Sequence, residues 1–385
     1  MNKRKICVVI TARASYSRIR TLLDSIQKNH NLELQLIVSG SAMLSKYGDA
    51  FEVIEKDGFI INEKIFNVID GNDPVVMAKS TGLAVIEIAS AFMKLKPDIV
   101  ITIADRYETL ATSIAASYQN ITLAHVQGGE VTGNIDEKVR HANTKLADIH
   151  FVATEDARER VIKLGESEEY VLNHGCPSID IARKINEENK LNFDPIEKYK
   201  GVGVHIDPKD GYIVVLQHPV TTEYEKSTEH ISETLNALDQ LKIPTFMFWP
   251  NIDSGTDILS TGIRRFRENK NPDYIHFFKN MEPIDFLRLL KFSNCLVGNS
   301  SVGIRECSYL GVPVINIGSR QNGRKQFNNV INCDNRSEEI INAVQKQIKQ
   351  KSLKINTEYG DGFAGEKISS FLEKCDLIFK KKINY

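Results

Sequence analysis

The chain has 385 residues, 49 of them Lys or Arg and 50 Asp or Glu, for a formal net charge of -1. That length predicts two domains, and the even charge balance argues against a general nucleic-acid binder and gives no polybasic membrane address. The longest apolar runs, such as Cys7–Ile10 and Ile99–Ile103, fall far short of the ~18 residues that a membrane-spanning helix needs.

A basic start, Met1–Lys5, precedes the apolar run Ile6–Ile10, an order that signal peptides share. Here the apolar part is short, Arg13 and Arg18 follow it, and no small-residue cleavage site is present, so it reads as a first buried strand. The cysteines, Cys7, Cys176, Cys295, Cys307, Cys333 and Cys375, are scattered and form no C-x-x-C pair. That fits neither a disulfide framework nor a zinc site and suits a reducing cytoplasm.

In chain order, apolar strand runs occur at Ile6–Thr11, Leu34–Val38, Ile99–Ile103, Ile121–Val126 and Ile149–Ala153, with helical patterns at Arg18–Gln27, Thr81–Lys94 and Tyr107–Tyr118. Continuous apolar strands alternating with helices indicate a parallel sheet covered on both faces. The rhythm pauses after Cys176-Pro177, through a stretch from Ser178 to Asp210 rich in Glu, Asn, Lys and Asp. It resumes with strands at Tyr212–Leu216, Thr245–Trp249, Tyr274–Phe278, Cys295–Val297 and Val314–Ile317 and helices at Ser227–Gln240, Ile284–Lys291 and Val302–Leu310. The expectation is two α/β domains of similar size that face each other across a cleft, with ligand-binding residues just after the strands.

Five segments in such positions carry chemistry. Arg13, between the first strand and a helix, suits an anion or is a solvated turn residue. Asp105 sits at a strand end, as a cleft carboxylate or as a cap for the next helix. His125-Val126-Gln127-Gly128-Gly129-Glu130 ends a strand in a Gly-Gly turn, and Asp136, Glu137 and His141 follow; this is an acid/base site or a loop with an ordinary acidic helix start. His218, beside Pro219, closes the first strand of the second half, facing a ligand or packing. Gly298-Asn299-Ser300-Ser301 turns from strand to helix, offering amides, hydroxyls and a helix dipole to an anion or serving only as a Ser N-cap. Glu306 there suits a sugar hydroxyl, and Arg320, after the next strand, adds charge. No Walker A or Gly-x-Gly-x-x-Gly sequence occurs, nor any ligand spacing of a metal site.

Taken together, Thr11–Ser17, Asp105-Arg106, Gly128–Asp136, Val139-Arg140-His141, Gly175–Ser178, Gln217–Thr222, Pro250–Asp253, Gly298–Ser301, Arg305-Glu306, Gly318–Gln321 and Tyr359–Gly362 resemble the UDP-N-acetylglucosamine 2-epimerase family, in particular its hydrolysing members of sialic-acid and legionaminic-acid biosynthesis. The resemblance spans nearly the whole chain. It implies a GT-B-like α/β fold of two Rossmann-type doubly wound domains, residues 1–177 with a helix at 363–380 packing back, and residues 178–362. It implies no metal and no redox cofactor, a nucleotide-sugar substrate, and a homo-dimer or tetramer. The implied reaction removes the C2 proton of the sugar, expels the nucleoside diphosphate by anti elimination, and adds water to give a free manno-configured sugar. By motif, Asp105 and Asp136 match catalytic carboxylates and His218 a substrate-contacting or catalytic histidine. Arg13, Ser300, Ser301 and Arg320 match the diphosphate site, Glu306 the ribose contact, and Arg106 and Asn251 further binding positions.

Two departures stand out. Hydrolysing relatives commonly read His-Gly-Asp-Arg and His-Ile-Glu-Gly-Gly-Glu, where this chain has Ile103-Ala104-Asp105-Arg106 and His125-Val126-Gln127-Gly128-Gly129-Glu130. Gln127 occupies the place of a family catalytic carboxylate and cannot act as a base, so Asp105, Asp136 or Glu130 covers its role, or the chain works differently. Both changes flank the expected sugar side, which points to an altered sugar such as a 2,4-diacetamido-2,4,6-trideoxy hexose. A glycosyltransferase of the same architecture and a nucleotide-sugar-binding sensor without turnover are the competing readings.

Overall fold

A computed structural model describes residues 3–44, 50–71, 74–131, 135–250, 256–350, 353–377 and 381–384. The described chain forms two compact units, the first from Met1–Val131, Ile135–Ile181 and Glu358–Tyr385, the second from Ala182–Thr357. The first therefore runs four residues past the expected boundary at 177 and regains the chain at Glu358.

In the first unit the order is β1 (Arg4–Ile10), α1 (Arg13–Lys28), β2 (Leu32–Val38), α2 (Ala50–Lys56), β3 (Glu63–Lys64), α3 (Pro74–Leu95), β4 (Ile99–Ile103), α4 (Thr109–Tyr118), β5 (Thr122–Val126), α5 (Ile135–Leu146), β6 (Ile149–Val152), α6 (Glu155–Lys163), β7 (Val171–Asn173) and α7 (Pro177–Asn186). The sheet order is β3-β2-β1-β4-β5-β6-β7, every pairing parallel. β4, β5 and β6 are buried along their whole length, as strands covered on both faces must be. The strand order reverses direction between β1 and β4, which makes the carboxyl ends of those two strands the topological switch point.

Helix α3 is longer and more apolar than the sequence reading allowed. Val75–Leu95 has a mean hydropathy of 1.5, enough by length and composition to cross a membrane. Lys79, Ser80, Thr81, Glu87 and Ser90 break its apolar run, which hid it from a search for uninterrupted stretches. One face, carrying Ala84, Ile88, Ala91 and Phe92, packs into the sheet. The opposite face is exposed.

Away from the strands' carboxyl ends, a charged cluster is buried beside β6. Glu166 accepts a hydrogen bond from Lys145 Nζ at Oε1 (2.6 Å) and one from His150 Nε2 at Oε2 (3.1 Å), and Lys381 Nζ lies 2.6 Å from the same Oε2. Burial alone would push the Glu166 pKa up, but those three partners outweigh it and pull it down to about 2. Helix α14 (Ala364–Lys374) closes this unit: the amides of Ala364 and Gly365 donate to buried Asp180 at 2.9 and 2.8 Å, and Ile368 and Leu372 complete the core beneath α1.

The second unit runs α8 (Pro195–Tyr199), β8 (Val202–Gly203), β9 (Ile213–Leu216), α9 (Ser227–Leu241), β10 (Thr245–Phe248), α10 (Thr256–Lys270), β11 (Ile275–Phe278), α11 (Pro283–Lys291), β12 (Cys295–Gly298), α12 (Glu306–Leu310), β13 (Val314–Ile317), β14 (Val330–Cys333) and α13 (Ser337–Gln347). Its sheet order is β14-β13-β12-β9-β10-β11-β8, parallel except for the edge pair β11 and β8. Its switch point lies between β9 and β12.

Candidate functional site

The described sequence-expected residues cluster beyond the carboxyl ends of the strands in each unit. In the first, β1 runs into Thr11 and Ala12, and α1 begins at Arg13 with no side chain capping its first amides. Thr11 is buried and its hydroxyl hydrogen-bonds to nothing among the described residues. Arg13 is half-buried at the start of that helix.

The ends of β4 and β5 are the most constrained part. Ala104 (φ +60) and Gln127 (φ +68), one residue past each strand, both adopt the left-handed conformation that non-glycine residues seldom take. Such strain concentrates where surrounding structure holds a functional turn in place. Asp105 does not cap α4, whose N-cap is Glu108 without a side-chain hydrogen bond. It forms an ion pair with Arg140, and the Arg140 side chain is only 1% exposed. Arg140 Nη1 also donates to the Glu130 carbonyl at 2.7 Å. Burial disfavours the guanidinium charge, yet Asp105, Glu130 and Asp136 together more than offset it and hold its pKa above the ordinary value. So one guanidinium bonds the Asp105 carboxylate and the Glu130 backbone carbonyl. Asp136 belongs to the first turn of α5, and Arg106 turns to Glu108 at 3.3 Å.

Gln127 is buried and engaged at both ends of its amide. Its Nε2 donates to Cys176 Sγ at 2.7 Å, its Oε1 faces Arg18 Nη1 at 3.4 Å, and Cys176 Sγ lies 2.9 Å from Ser178 Oγ. The two glycines after it serve packing. A Cβ on Gly128 would lie 2.9 Å from Thr144 Oγ1, and one on Gly129 would run into the α6 backbone at Ala157. His125 is structural too: Ala104 O and Thr144 Oγ1 lie 2.9 and 3.1 Å from its ring nitrogens, and burial drives its pKa down to about 3, so it stays neutral.

In the second unit Asn299 organises the site. Its Oδ1 accepts from the His218 amide (2.7 Å) and its Nδ2 donates to the His218 carbonyl (2.9 Å), tying the ends of β9 and β12. Its own carbonyl accepts from Arg320 Nη1 (3.2 Å) and Gln321 Nε2 (2.8 Å), which adds the end of β13. His218, Ser300 and Arg320 are thereby brought to one edge. Gly298 (φ +143) is required here, because a Cβ would lie under 3.0 Å from the Leu216 carbonyl. The gap between Ser301 and the next helix corrects one expectation. The helix expected over Val302–Leu310 is the short α12, and Ser301–Arg305 forms turns, so neither serine caps it and its dipole does not point at them. Arg305 fills that turn, 2% exposed, donating to Ser301 Oγ at 2.9 Å. Glu306 is buried, and its Oε2 finds no hydrogen bond among the described residues; Gln217 Oε1 and Gln321 Oε1 are in the same condition. Two buried amide oxygens with no hydrogen bond among the described residues, Gln217 Oε1 after β9 and Gln321 Oε1 after β13, fit a polar ligand there, and Glu306 Oε2 meets the Arg305 guanidinium at 4.0 Å.

Asn251 lies outside the described residues. Arg140, Asn299, Arg305 and Cys176 take part without having been singled out; each stood inside a quoted motif. Among the described residues no group of three His, Cys, Asp or Glu is placed to hold a metal ion.

Two Rossmann-type units with switch-point sites that pair carboxylates in one and hydroxyl, amide and cationic groups in the other define a GT-B-like enzyme class. The chain belongs to the UDP-N-acetylglucosamine 2-epimerase family, whose model matches residues 24–373, and it is an epimerase. It is 33% identical over 358 residues to the GDP/UDP-N,N'-diacetylbacillosamine 2-epimerase (hydrolyzing) of Campylobacter jejuni, covering 92% of this chain and 90% of that protein. It is 30% identical to the UDP-N,N'-diacetylbacillosamine 2-epimerase (hydrolyzing) of Legionella pneumophila, covering 97% of each. Among solved structures, the UDP-GlcNAc 2-epimerase of Neisseria meningitidis bound to UDP-GlcNAc superposes with a TM-score of 0.79 at 18% identity, over 96% of this chain and 99% of that one.

Proposed function

We propose that the protein hydrolyses and epimerises a UDP- or GDP-linked 2-acetamido sugar, and that its substrate is the 2,4-diacetamido-2,4,6-trideoxy glucose derivative rather than UDP-GlcNAc. The observation that carries the reaction is the pairing of Asp105, at the end of β4, with buried Arg140, which also holds the Glu130 carbonyl and shares helix α5 with Asp136. A carboxylate takes the C2 proton, the C2–H electron pair becomes the C1–C2 double bond, and the C1–O bond breaks with its pair leaving on the diphosphate. Water then adds across that bond, its oxygen to C1 and a proton to C2 on the face opposite the one the first proton left, giving the manno sugar. Ser300, Ser301 and Arg320 receive the diphosphate and Glu306 the ribose. The sugar assignment is supported by the similarity to the Campylobacter and Legionella proteins and by Ile103 and Gln127, which stand where the hydrolysing family's motifs commonly read His and Glu.

The test is incubation with each nucleotide sugar in deuterated water. Free nucleoside diphosphate with a manno sugar deuterated at C2 is expected, and Asp105→Asn or Asp136→Asn should abolish turnover while nucleotide binding persists. Release without deuterium, or transfer to a second sugar, would support the glycosyltransferase reading; binding with no release would support the sensor.

We also propose a homo-oligomer formed through the exposed face of α3, working in a reducing compartment to which six cysteines outside any disulfide are suited. Val75, Leu83, Ile86 and Met93 are 52%, 42%, 63% and 71% exposed, and Tyr118, at the end of neighbouring α4, is 87% exposed. These side chains offer on the order of 600 Å² of the ~800 Å² per partner that a stable interface buries. Glu87 on that face suits a second protein copy better than a lipid surface. Ile86→Glu should convert the oligomer to a monomer in sedimentation; a monomeric unaltered protein, or one that binds vesicles, would overturn this.

A further inference from the structure

We propose that Arg140 is a positioning residue for the elimination, acting through Asp105, which it holds charged and fixed at the end of β4, and through the Glu130 carbonyl, which it uses to hold the turn after β5. This rests on the proposed reaction.

An arginine this deeply buried is uncommon and demands a counter-charge. Asp105 supplies it across 35 positions of sequence, and the second arm of the guanidinium reaches the Glu130 carbonyl at 2.7 Å. The planar fork therefore spans two loops that leave neighbouring strands. Both loops begin in strained backbone, at Ala104 and Gln127, so something beyond local preference must hold them, and Arg140 is the side chain bonded to both. The charged and titratable groups facing it are Asp105 from the β4 loop, Glu130 from the β5 loop, Asp136 from its own helix and His125 from β5. His125 is neutral, which leaves three carboxylates around one cation. Arg140 bonds the Asp105 carboxylate directly and meets Glu130 through its backbone carbonyl, so the carboxylate it fixes in place is that of Asp105.

The experiment compares the unaltered enzyme with Arg140→Lys and Arg140→Gln in kcat and KM across pH, alongside carbon-13 carboxyl titration of Asp105 in each protein. Arg140→Gln should lower kcat by about 100-fold, the effect of misplacing a reacting group by about 1 Å, with KM changed less than about threefold. The acid limb of its kcat profile should move to higher pH, and Asp105 should titrate at higher pH with it. Arg140→Lys should restore the acid limb and the Asp105 titration but only part of kcat, since an ammonium lacks the fork. An Asp105 titration that does not respond to either substitution overturns the proposal, as does a kcat loss with no movement of the acid limb. If Arg140→Gln fails to fold, Arg140→Lys and the titration still decide. Because the Asp105 titration needs no turnover, failure of the proposed reaction is recognised separately, as an unaltered enzyme that releases no nucleoside diphosphate.

Discussion

Replacing Gly298 by alanine tests whether the junction of β9 and β12 places the nucleotide-binding groups. The added Cβ meets the Leu216 carbonyl, a backbone atom that cannot rotate away, and the φ of +143 is one that side chains rarely adopt. The strand end must move by about 1 Å before ordinary contact distances return. Asn299 is the next residue, so its 2.7 and 2.9 Å hydrogen bonds to the His218 backbone cannot both survive. Backbone strain of ~1–3 kcal/mol and the loss of at least one buried hydrogen bond of ~1 kcal/mol make about 3 kcal/mol. That is a large fraction of the ~5–15 kcal/mol available to a folded domain. Urea unfolding should show this loss, and calorimetry with UDP or GDP should show nucleotide affinity falling at least 30-fold, because Ser300 and Arg320 move with Asn299. A Gly298→Ala protein within about 1 kcal/mol of the original that binds nucleotide normally would refute the reasoning.

Three further outcomes follow from the same geometry. Glu166→Gln should cost about 3 kcal/mol at pH 7, from a pKa depressed from 4.5 to about 2; because the folded value lies below the unfolded one, this stability is present above about pH 4.5 and is lost as pH falls towards 2, so urea midpoints of the two proteins should converge in acid. Ala104→Gly should leave stability equal or raise it by up to about 1 kcal/mol in thermal unfolding, since glycine relieves a left-handed φ at the expense of chain entropy. Gln127→Glu should pair with Arg18 and deprive Cys176 Sγ of its amide donor; the ratio of kcat/KM for UDP-GlcNAc to that for the diacetamido sugar should rise, and an unchanged ratio would count against the assigned sugar.

Strand positions were the most legible feature. Runs such as Ile99–Ile103 are buried on both faces, and nothing but a continuous β-branched stretch satisfies that environment. The edge strands β3, β7, β8 and β14 escaped because they are short or partly exposed and carry no such pattern. The candidate residues were legible as positions, since a strand followed by a polar turn marks a carboxyl end, but their partners were not. Nothing in Val139-Arg140-His141 distinguishes a buried guanidinium from a solvated one, because its counter-charge comes from a different loop. The α12 start was misread because the apolar spacing suggested a helix from Val302, whereas Ser301, Val302, Gly303 and Ile304 are weak helix formers and the segment forms turns up to Arg305. Gly128-Gly129 read as room for a ligand, whereas it is room for α5 and α6.

The seam between α1 and α14 bears on how the protein is born. Gly365 packs so closely on Thr21 that a Cβ would sit 2.8 Å from its backbone, and Asp180 joins Thr21 Oγ1 to the first amides of the late helix. Ile368, Leu372 and Cys375 belong to the same apolar cluster as Ile6 and Val8. A ribosome therefore releases nearly the whole chain before the earliest strands receive their final cover. The interior of the first-made half is held open through synthesis of the second, so a chain halted before residue 364 leaves an apolar surface for chaperones rather than a finished domain.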